Sequence, residues 1–164
     1  MDGYSKVSLV QVRTAVPAST GAEAGMVVLQ EDEHPRRSVR IIIGATEAKA
    51  IHSAWQGTAS TRPTTWDLFV SAVVLLGGAI RRVAITAVEQ ERHFYANLEI
   101  DQDGQTRVLS CRPSDGIAFA LRAYQAEIVV AEEVLMSAGT LPDGSRPQPE
   151  LPAPVTPEPV PDDG

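Results

Sequence analysis

The order of its apolar patterns constrains the fold of this 164-residue chain most, because one plan occurs twice. In each half, three strand-like segments are followed by a segment whose apolar residues have helical spacing. The predicted strands cover residues 7–13, 26–30 and 39–43, and then 80–88, 94–100 and 106–110. The predicted helices that follow them cover residues 46–56 and 114–124. The repeat suggests an internal duplication and predicts an α+β domain, with helices packed on a mixed, mostly antiparallel sheet.

Three further elements complete the predicted domain. A helix over residues 65–76 joins the two halves, and a strand over 127–130 and a helix over 132–137 follow the second half. We expect helical spacing to place one buried stripe on each of the helices over 65–76 and 114–124. The two stripes are Leu68, Phe69, Ala72, Val73 and Leu76, and Ile117, Ala120, Leu121 and Tyr124.

A change in composition marks a predicted domain boundary. Eight of the twelve prolines follow Gly139, where large apolar residues are few. Such a segment cannot bury enough surface to offset the entropy lost on ordering. We therefore predict a domain over residues 1–140 and a disordered, acidic, proline-rich tail over 141–164. The tail is either solvated or a ligand for a proline-binding module.

Charge limits how the domain can contact nucleic acid. The net charge is −7, and the residues after Gly139 contribute −4 of it through five acids and one arginine. The remaining −3 excludes a protein that holds long nucleic acid by charge alone, because that class needs a basic face. Any contact with nucleic acid should be local and transient.

The sequence predicts a cytoplasmic protein that does not enter a membrane. The longest apolar stretch, residues 68–80, is too short to span a bilayer. The first residues lack a basic region followed by an apolar core, so no secretory signal is visible. A single cysteine, Cys111, excludes an internal disulfide. We expect this cysteine to be a small buried side chain rather than a nucleophile.

Two similar phrases open two of the predicted helices: R-P-T-T-W-D-L at residues 62–68 and R-P-S-D-G-I at residues 112–117. A helix N-terminus exposes unpaired N–H groups, and with an adjacent arginine it can bind phosphate. The aspartate in each phrase would repel a phosphate, because both groups are negatively charged. The two can lie side by side only with a cation or a shared proton between them. The same residues also suit helix capping: Thr64 with Asp67 resembles a capping box, and Ser114 could cap the later helix.

Glu47 shares a predicted helix face with apolar residues, where a carboxylate is costly unless it is paired. One interpretation is a structural ion pair with Arg62, Arg112 or Arg122. The other is a metal ligand or a general base. The three histidines are scattered, and the sequence contains no metal-binding or phosphate-loop motif.

Three segments in this order resemble the bifunctional nuclease domain family of bacteria and plants. They are I-G-A-T-E-A-K-A-I at residues 43–51, R-P-T-T-W-D-L at 62–68 and C-R-P-S-D-G-I-A-F-A-L-R at 111–122. Glu132–Leu135 with Ala138 and Gly139 matches the family's usual ending, so the resemblance covers about residues 5 to 140. It implies a compact α+β domain that forms homo-oligomers and hydrolyses RNA and DNA with little sequence preference.

The resemblance also implies a set of site residues. Carried over by position, they are Glu47, Arg62, Asp67, Arg112, Ser114, Asp115 and Arg122. The three carboxylates would hold a divalent cation, Mg²⁺ or Mn²⁺, or position water. The arginines, with Ser114, would hold the phosphate of RNA or single-stranded DNA.

One departure from the family pattern affects the predicted chemistry. Trp66 stands where the family usually has histidine, and tryptophan cannot act as an acid or base. Trp66 could instead stack on a base of the substrate. The alternative to a nuclease is a catalytically weak or inactive oligomeric module that binds a phosphorylated ligand or a protein partner. Gly116, where the family has alanine, is expected to loosen its helix slightly.

Overall fold

A computed structural model describes residues 3–16 and 21–148 of the chain. Seven strands and four helices lie within these residues. The strands are β1 (Tyr4–Ala15), β2 (Ala24–Glu31), β3 (Ser38–Gly44), β4 (Gly78–Glu89), β5 (His93–Gln102), β6 (Gln105–Cys111) and β7 (Glu127–Ala131). The helices are α1 (Ala45–Trp55), α2 (Thr65–Leu75), α3 (Pro113–Ala120) and α4 (Glu132–Ala138).

The strands form one mixed sheet in the order β3-β2-β1-β7-β4-β5-β6. Strands β1 to β3 and β4 to β6 are two antiparallel meanders, each followed by a helix. Strand β7 joins the meanders, pairing antiparallel with β1 and parallel with β4. The predicted α+β fold is confirmed, and the repeated plan of three strands and a helix is present.

Close backbone approach fixes the helices on the sheet. A Cβ at Gly25 of β2 would overlap the Ala48 side chain of α1, and one at Gly116 of α3 would overlap Val83 of β4. The sequence predicted only that Gly116 would loosen its helix slightly. In the structure, the missing side chain also lets α3 lie against the sheet. The core around these contacts includes Leu29, Ile51, Ile85, Leu98 and Ile117.

Two of the expected buried stripes are wrong in part. Helix α2 has no buried residue, and Leu68 and Leu76 are 64% and 73% exposed. Helix α3 ends at Ala120 rather than 124, and Tyr124 is 88% exposed. Residues 121–123 close the helix with turns, and Gln125 has a φ of 57°, so the chain leaves the helix before Tyr124 could face the core.

A buried ion network ties β2 and β3 to α4. Arg37 donates to both carboxylate oxygens of Glu31 at 2.8 and 2.9 Å, and to both of Glu132 at 2.7 and 2.8 Å. Glu31 and Arg37 are 4% and 6% exposed. Burial alone would raise the pKa of Glu31, but the hydrogen bonds from Arg37 lower it overall. Residues 31–37 have the polar composition of a turn between two strands, so their sequence gives no sign of this network.

The first residues of the predicted tail are attached to the domain. Thr140 forms a β-bridge with Ser38, and Arg146 donates to both carboxylate oxygens of Glu91 at 2.7 and 2.8 Å. Residues 149–164 lie outside the described residues, so the boundary at residue 140 and the disordered tail stay predictions. No helix in the described part of the chain has the length and apolar character needed to cross a membrane.

Candidate functional site

Arg112 lies where the first turns of α1 and α3 meet. It directly follows β6 and is the N-cap residue of α3. Its Nε and Nη2 donate to the two carboxylate oxygens of Asp115 at 2.7 and 3.0 Å, and its Nη1 lies 3.2 Å from Glu47 Oε1. These contacts raise the pKa of the guanidinium, the hydrogen bond to Asp115 most. The ion-pair interpretation of Glu47 is therefore what the structure shows.

A second ion pair, Arg122 with Asp67, connects helices α1, α2 and α3. Arg122 Nε donates to Asp67 Oδ1 at 2.8 Å, and its other nitrogens donate to the carbonyl oxygens of Ala118 and Ala50. Asp67 also completes the predicted capping box with Thr64. Hydrogen bonds from Thr64, and then from Arg122, lower the pKa of Asp67. Both side chains are thus engaged in holding α1, α2 and α3 together.

An aromatic pocket of about 540 Å³ opens beside Arg112, between α2 and β6. Its walls include Trp66 and a stacked pair, Phe69 and Phe119, whose ring centroids are 4.3 Å apart. Arg122 lies 5.9 Å from the centroid of the Trp66 ring, within the range of a cation–π contact. The remaining lining residues are Glu47, Thr65, Leu98, Leu109, Ser110, Cys111, Arg112 and Asp115. An apolar, flat-walled cavity with a charged rim suits a ligand with an aromatic ring and an anionic group.

A second pocket, of about 470 Å³, lies on the other side of Arg112 at the start of α3. We name it the β3–α3 pocket. Strand β3 at one edge of the sheet and β5 near the other both line it, so the sheet curls around this point. Its full lining is Ile41, Ile42, Ile43, Gly44, Arg92, His93, Phe94, Tyr95, Arg112, Pro113 and Ser114.

Ser114 lies in the β3–α3 pocket and does not cap its helix. Helix α3 begins one residue earlier than predicted, so Ser114 is its second residue, and no side chain caps this end. The capping interpretation of Ser114 is therefore wrong. The residue is only 5% exposed, and its hydroxyl makes no hydrogen bond with a described residue. The N–H groups of Ser114 and Asp115 also lack partners within the helix. This end of α3 thus presents three donors that could bind an anion.

His93 and Arg92 are site residues that sequence reasoning missed. Both line the β3–α3 pocket together with Arg112 and Ser114. They lie at the β4–β5 hairpin, and no local pattern indicates that this end of the hairpin reaches α3. The other two histidines line different pockets, His34 beside β1 and His52 between β1 and α1.

Arg62 stands apart from these groups. It is exposed and lines neither the aromatic pocket nor the β3–α3 pocket. Within residues 3–16 and 21–148 it has no hydrogen-bond or ion-pair partner. The structure therefore does not bring the two arginines of the similar phrases together.

The three predicted carboxylates do not surround one point. Glu47 and Asp115 share Arg112, whereas Asp67 pairs with Arg122. Over the described ranges, no group of three or more His, Cys, Asp or Glu side chains is arranged to hold a metal ion. The cation implied by the resemblance stays a prediction, and in this arrangement Asp67 lies in a different ion pair from Glu47 and Asp115.

Cys111 borders the aromatic pocket as a protonated thiol. Burial raises its pKa to about 11, with a smaller contribution from the charge of Asp115. A thiol with so high a pKa is a poor nucleophile at neutral pH. The expectation that Cys111 is a packing residue agrees with this environment.

Comparison with known proteins identifies the family. A sequence model of the bifunctional nuclease domain matches residues 27–143. Two uncharacterized proteins, from two strains of Mycobacterium tuberculosis, are each 40% identical over 118 residues. Each alignment covers 71% of this chain and 69% of the relative. The match spans both pockets and every predicted site residue, and the chain therefore belongs to the bifunctional nuclease domain family.

Proposed function

We propose that this protein is a nuclease that hydrolyses phosphodiester bonds of RNA and single-stranded DNA with little sequence preference. The observation that carries the proposal is the position of Arg112 between two unlike pockets. One pocket has aromatic walls, and the other has the unpaired donors of a helix start. A nucleotide unit has the matching shape, a flat base joined through its sugar to a phosphate.

Arg112 has the donors that phosphate binding requires. A guanidinium carries five N–H groups, and three of them are used by Glu47 and Asp115. Two N–H groups remain for a phosphate oxygen. The two carboxylates fix the orientation of the guanidinium, which lowers the entropic cost of binding. With Ser114 and the start of α3, Arg112 would stabilise the negative charge that develops on the phosphoryl oxygens.

The aromatic pocket gives the proposed substrate class. A base can enter a cavity of this kind only when it is unstacked and unpaired, which favours single strands. Stacking on Trp66, Phe69 or Phe119 depends little on the identity of the base, so little sequence preference follows. Asp67 and Arg122 position the α2 wall. Arg62 is exposed and would contact a neighbouring phosphate of the strand.

His93 would carry the proton transfers that Trp66 cannot. It shares the β3–α3 pocket with Arg112, and histidine is the side chain most often used for general acid–base catalysis. In the proposed step, the imidazole takes a proton from the attacking water as the water oxygen bonds to phosphorus. The bond from phosphorus to the leaving oxygen breaks, and the leaving oxygen takes a proton from solvent water. His93 then releases its proton to solvent, which restores the neutral imidazole. No step is assigned to a metal ion. We place this activity in the cytoplasm, since the chain has a single cysteine.

The proposal is tested with labelled single-stranded RNA, single-stranded DNA and duplex DNA, each with Mg²⁺, with Mn²⁺ and with EDTA. Wild-type protein should cleave the single strands. His93→Gln should lower kcat about 100-fold or more with little change in KM, because general acid–base catalysis contributes about that much. His52→Gln, on the far side of α1, is the matched control and should retain activity. Wild-type protein that cleaves nothing under all three conditions contradicts the proposal.

Trp66 favours one alternative, a module that binds a phosphorylated ligand or a protein partner without cleaving it. Trp66 fills the wall of the aromatic pocket at the position where the family usually has histidine. Cleavage by Trp66→His, together with inactive wild-type protein that still binds an oligonucleotide, would support this alternative.

We also propose that the protein forms a homo-oligomer through the outer face of α2. Leu68, Val74, Leu75 and Leu76 on this helix and its C-cap are 63% to 86% exposed. The one charged residue of α2, Asp67, is turned toward Arg122, so two copies of this face meet without like-charge repulsion. Exposed apolar surface of this extent typically marks an interaction site.

Leu75→Asp is expected to shift the protein to a monomer in light scattering coupled to size-exclusion chromatography. The reason is that a carboxylate buried in an apolar interface has no partner. Ile42→Asp, at a position that is 67% exposed on the distant edge strand β3, is the control and should keep the wild-type mass. A monomeric wild-type protein, or an unchanged mass for Leu75→Asp, argues against this interface.

A further inference from the structure

The chain after α4 leaves the described domain beside the β4–β5 hairpin, whose residues Arg92 and His93 line the β3–α3 pocket. A turn at residues 141–145 directs it there, with a hydrogen bond from the Leu141 N–H to the Ser145 carbonyl. Arg146 then binds Glu91 through both carboxylate oxygens. Glu91 immediately precedes Arg92 and His93, which line the pocket. Residues 149–164 therefore begin three positions beyond a side chain held beside this pocket.

The β3–α3 pocket has the chemistry of a site for an acidic, proline-rich segment. Its lining contains Arg92, His93 and Arg112 and, among the described residues, no carboxylate; Arg112 also pairs with Glu47 and Asp115, which lie outside this lining. Two of its apolar side chains are open to solvent, Ile42 at 67% and Tyr95 at 48% exposure. Exposed aromatic and aliphatic side chains form the grooves in which polyproline helices dock.

The segment over residues 149–164 has the complementary composition. It contains four acids and no lysine or arginine, and six of its sixteen residues are proline. Proline-rich chains favour the polyproline II conformation, which binds at low entropic cost because it is preformed. At about 3 Å per residue, sixteen residues reach about 50 Å, ample to cross a pocket that starts beside Glu91.

We propose that residues 149–164 bind in the β3–α3 pocket of their own chain and compete there with the phosphate of the substrate. Their prolines lie along Tyr95 and Ile42, and their carboxylates face Arg92 and Arg112. The proposed docking is argued from the lining of the β3–α3 pocket, from the Arg146–Glu91 ion pair beside it and from the opposite charges of the pocket and the segment. The competition rests on the proposed function, since the same pocket holds Ser114 and the start of α3.

Docking is tested in the full chain by paramagnetic relaxation. A spin label is attached at Val160→Cys in a Cys111→Ser background, so that a single thiol reacts. Amide signals of His93 and Tyr95 should lose about half their intensity or more, whereas those of Arg107 on β6 should not. The matched variant replaces Glu150, Glu158, Asp162 and Asp163 by their amides, and the loss at His93 and Tyr95 should disappear. No attenuation in the wild-type segment, or attenuation that survives the neutralised segment, overturns docking by charge.

Competition is tested with inorganic phosphate, observed through the amide signals of Ser114 and Asp115. The neutralised variant should bind phosphate at least about 3-fold more tightly than wild type, because an anionic competitor has been weakened. Equal affinities overturn the competition. Neither measurement uses cleavage, so a protein without nuclease activity refutes the proposed function and leaves the docking result readable.

Discussion

An Arg112→Ala variant is expected to cleave single-stranded RNA about 100- to 1,000-fold more slowly than wild type, the usual effect of removing one donor to developing negative charge. Arg112 is the residue that both pockets share, and two of its N–H groups are not used by Glu47 or Asp115. The loss should fall mainly on kcat, because that charge develops only in the transition state. Single-turnover cleavage at saturating protein measures it directly.

Three comparisons make the Arg112 result specific. Arg112→Lys keeps the charge but loses the planar fork, so its rate should lie between those of wild type and Arg112→Ala. Arg107→Ala removes an exposed arginine from the edge strand β6 and should leave the rate unchanged. The melting temperature of Arg112→Ala should change little, because the Arg112 side chain is 65% exposed and exposed ion pairs contribute little stability. An Arg112→Ala rate close to that of wild type would remove Arg112 from the proposed mechanism.

Arg37→Met is expected to lower the free energy of unfolding by about 3–5 kcal/mol, the cost of leaving a buried charge without its partner. Glu31 is 4% exposed, and its carboxylate accepts hydrogen bonds from the backbone N–H, Nε and Nη2 of Arg37. Without the guanidinium, this buried carboxylate would lose its charged partner. Glu132 would also lose Arg37, but its side chain is 52% exposed and water can replace the contact. Urea unfolding at pH 7 provides the measurement.

A double variant and a pH series test the cause of this loss. Glu31→Leu combined with Arg37→Met should recover most of the stability, because the unpaired charge is gone. The pKa of Glu31 and that of Glu132 are lowered in the folded protein. Their stabilising effect is therefore complete above the unfolded pKa, about 4.3 for Glu, and is lost as the pH falls through the lower folded values. The gap between wild type and Arg37→Met should shrink on acidification. A gap that is equal at pH 7 and about pH 3 would point to packing instead.

The sheet could be predicted from sequence because its signals are local. Alternation in residues 7–13, and the turn that Asp103 and Gly104 form between β5 and β6, need no knowledge of distant residues. The Thr64–Asp67 capping box is local as well. Family resemblance supplied Glu47, Arg112 and Asp115, which the structure brings together at the two helix starts.

What sequence reasoning missed depends on contacts between distant segments. The apolar residues of α2 have helical spacing, but spacing cannot distinguish a face that meets the core from one left exposed. In the sequence, Glu31 and Arg37 are typical of a polar turn. They are buried only because α4, which carries Glu132, packs over them. His93 lies in the site because the sheet curls and brings β5 close to β3. The alternation of apolar and polar residues along a strand does not indicate how strongly the sheet curves.

Strand β7 imposes an order on how this protein can be assembled during synthesis. It pairs Tyr4 with Ala131 and is the only link between the two meanders within the described sheet. The first meander can form as soon as residue 44 has emerged from the ribosome, but its β1 edge stays unpaired until residue 131 follows. Such distant pairing slows folding and leaves an open strand edge exposed to other chains. A chain stalled before residue 127 therefore presents that edge, and nascent chains of this length are the stage at which chaperone binding would matter most.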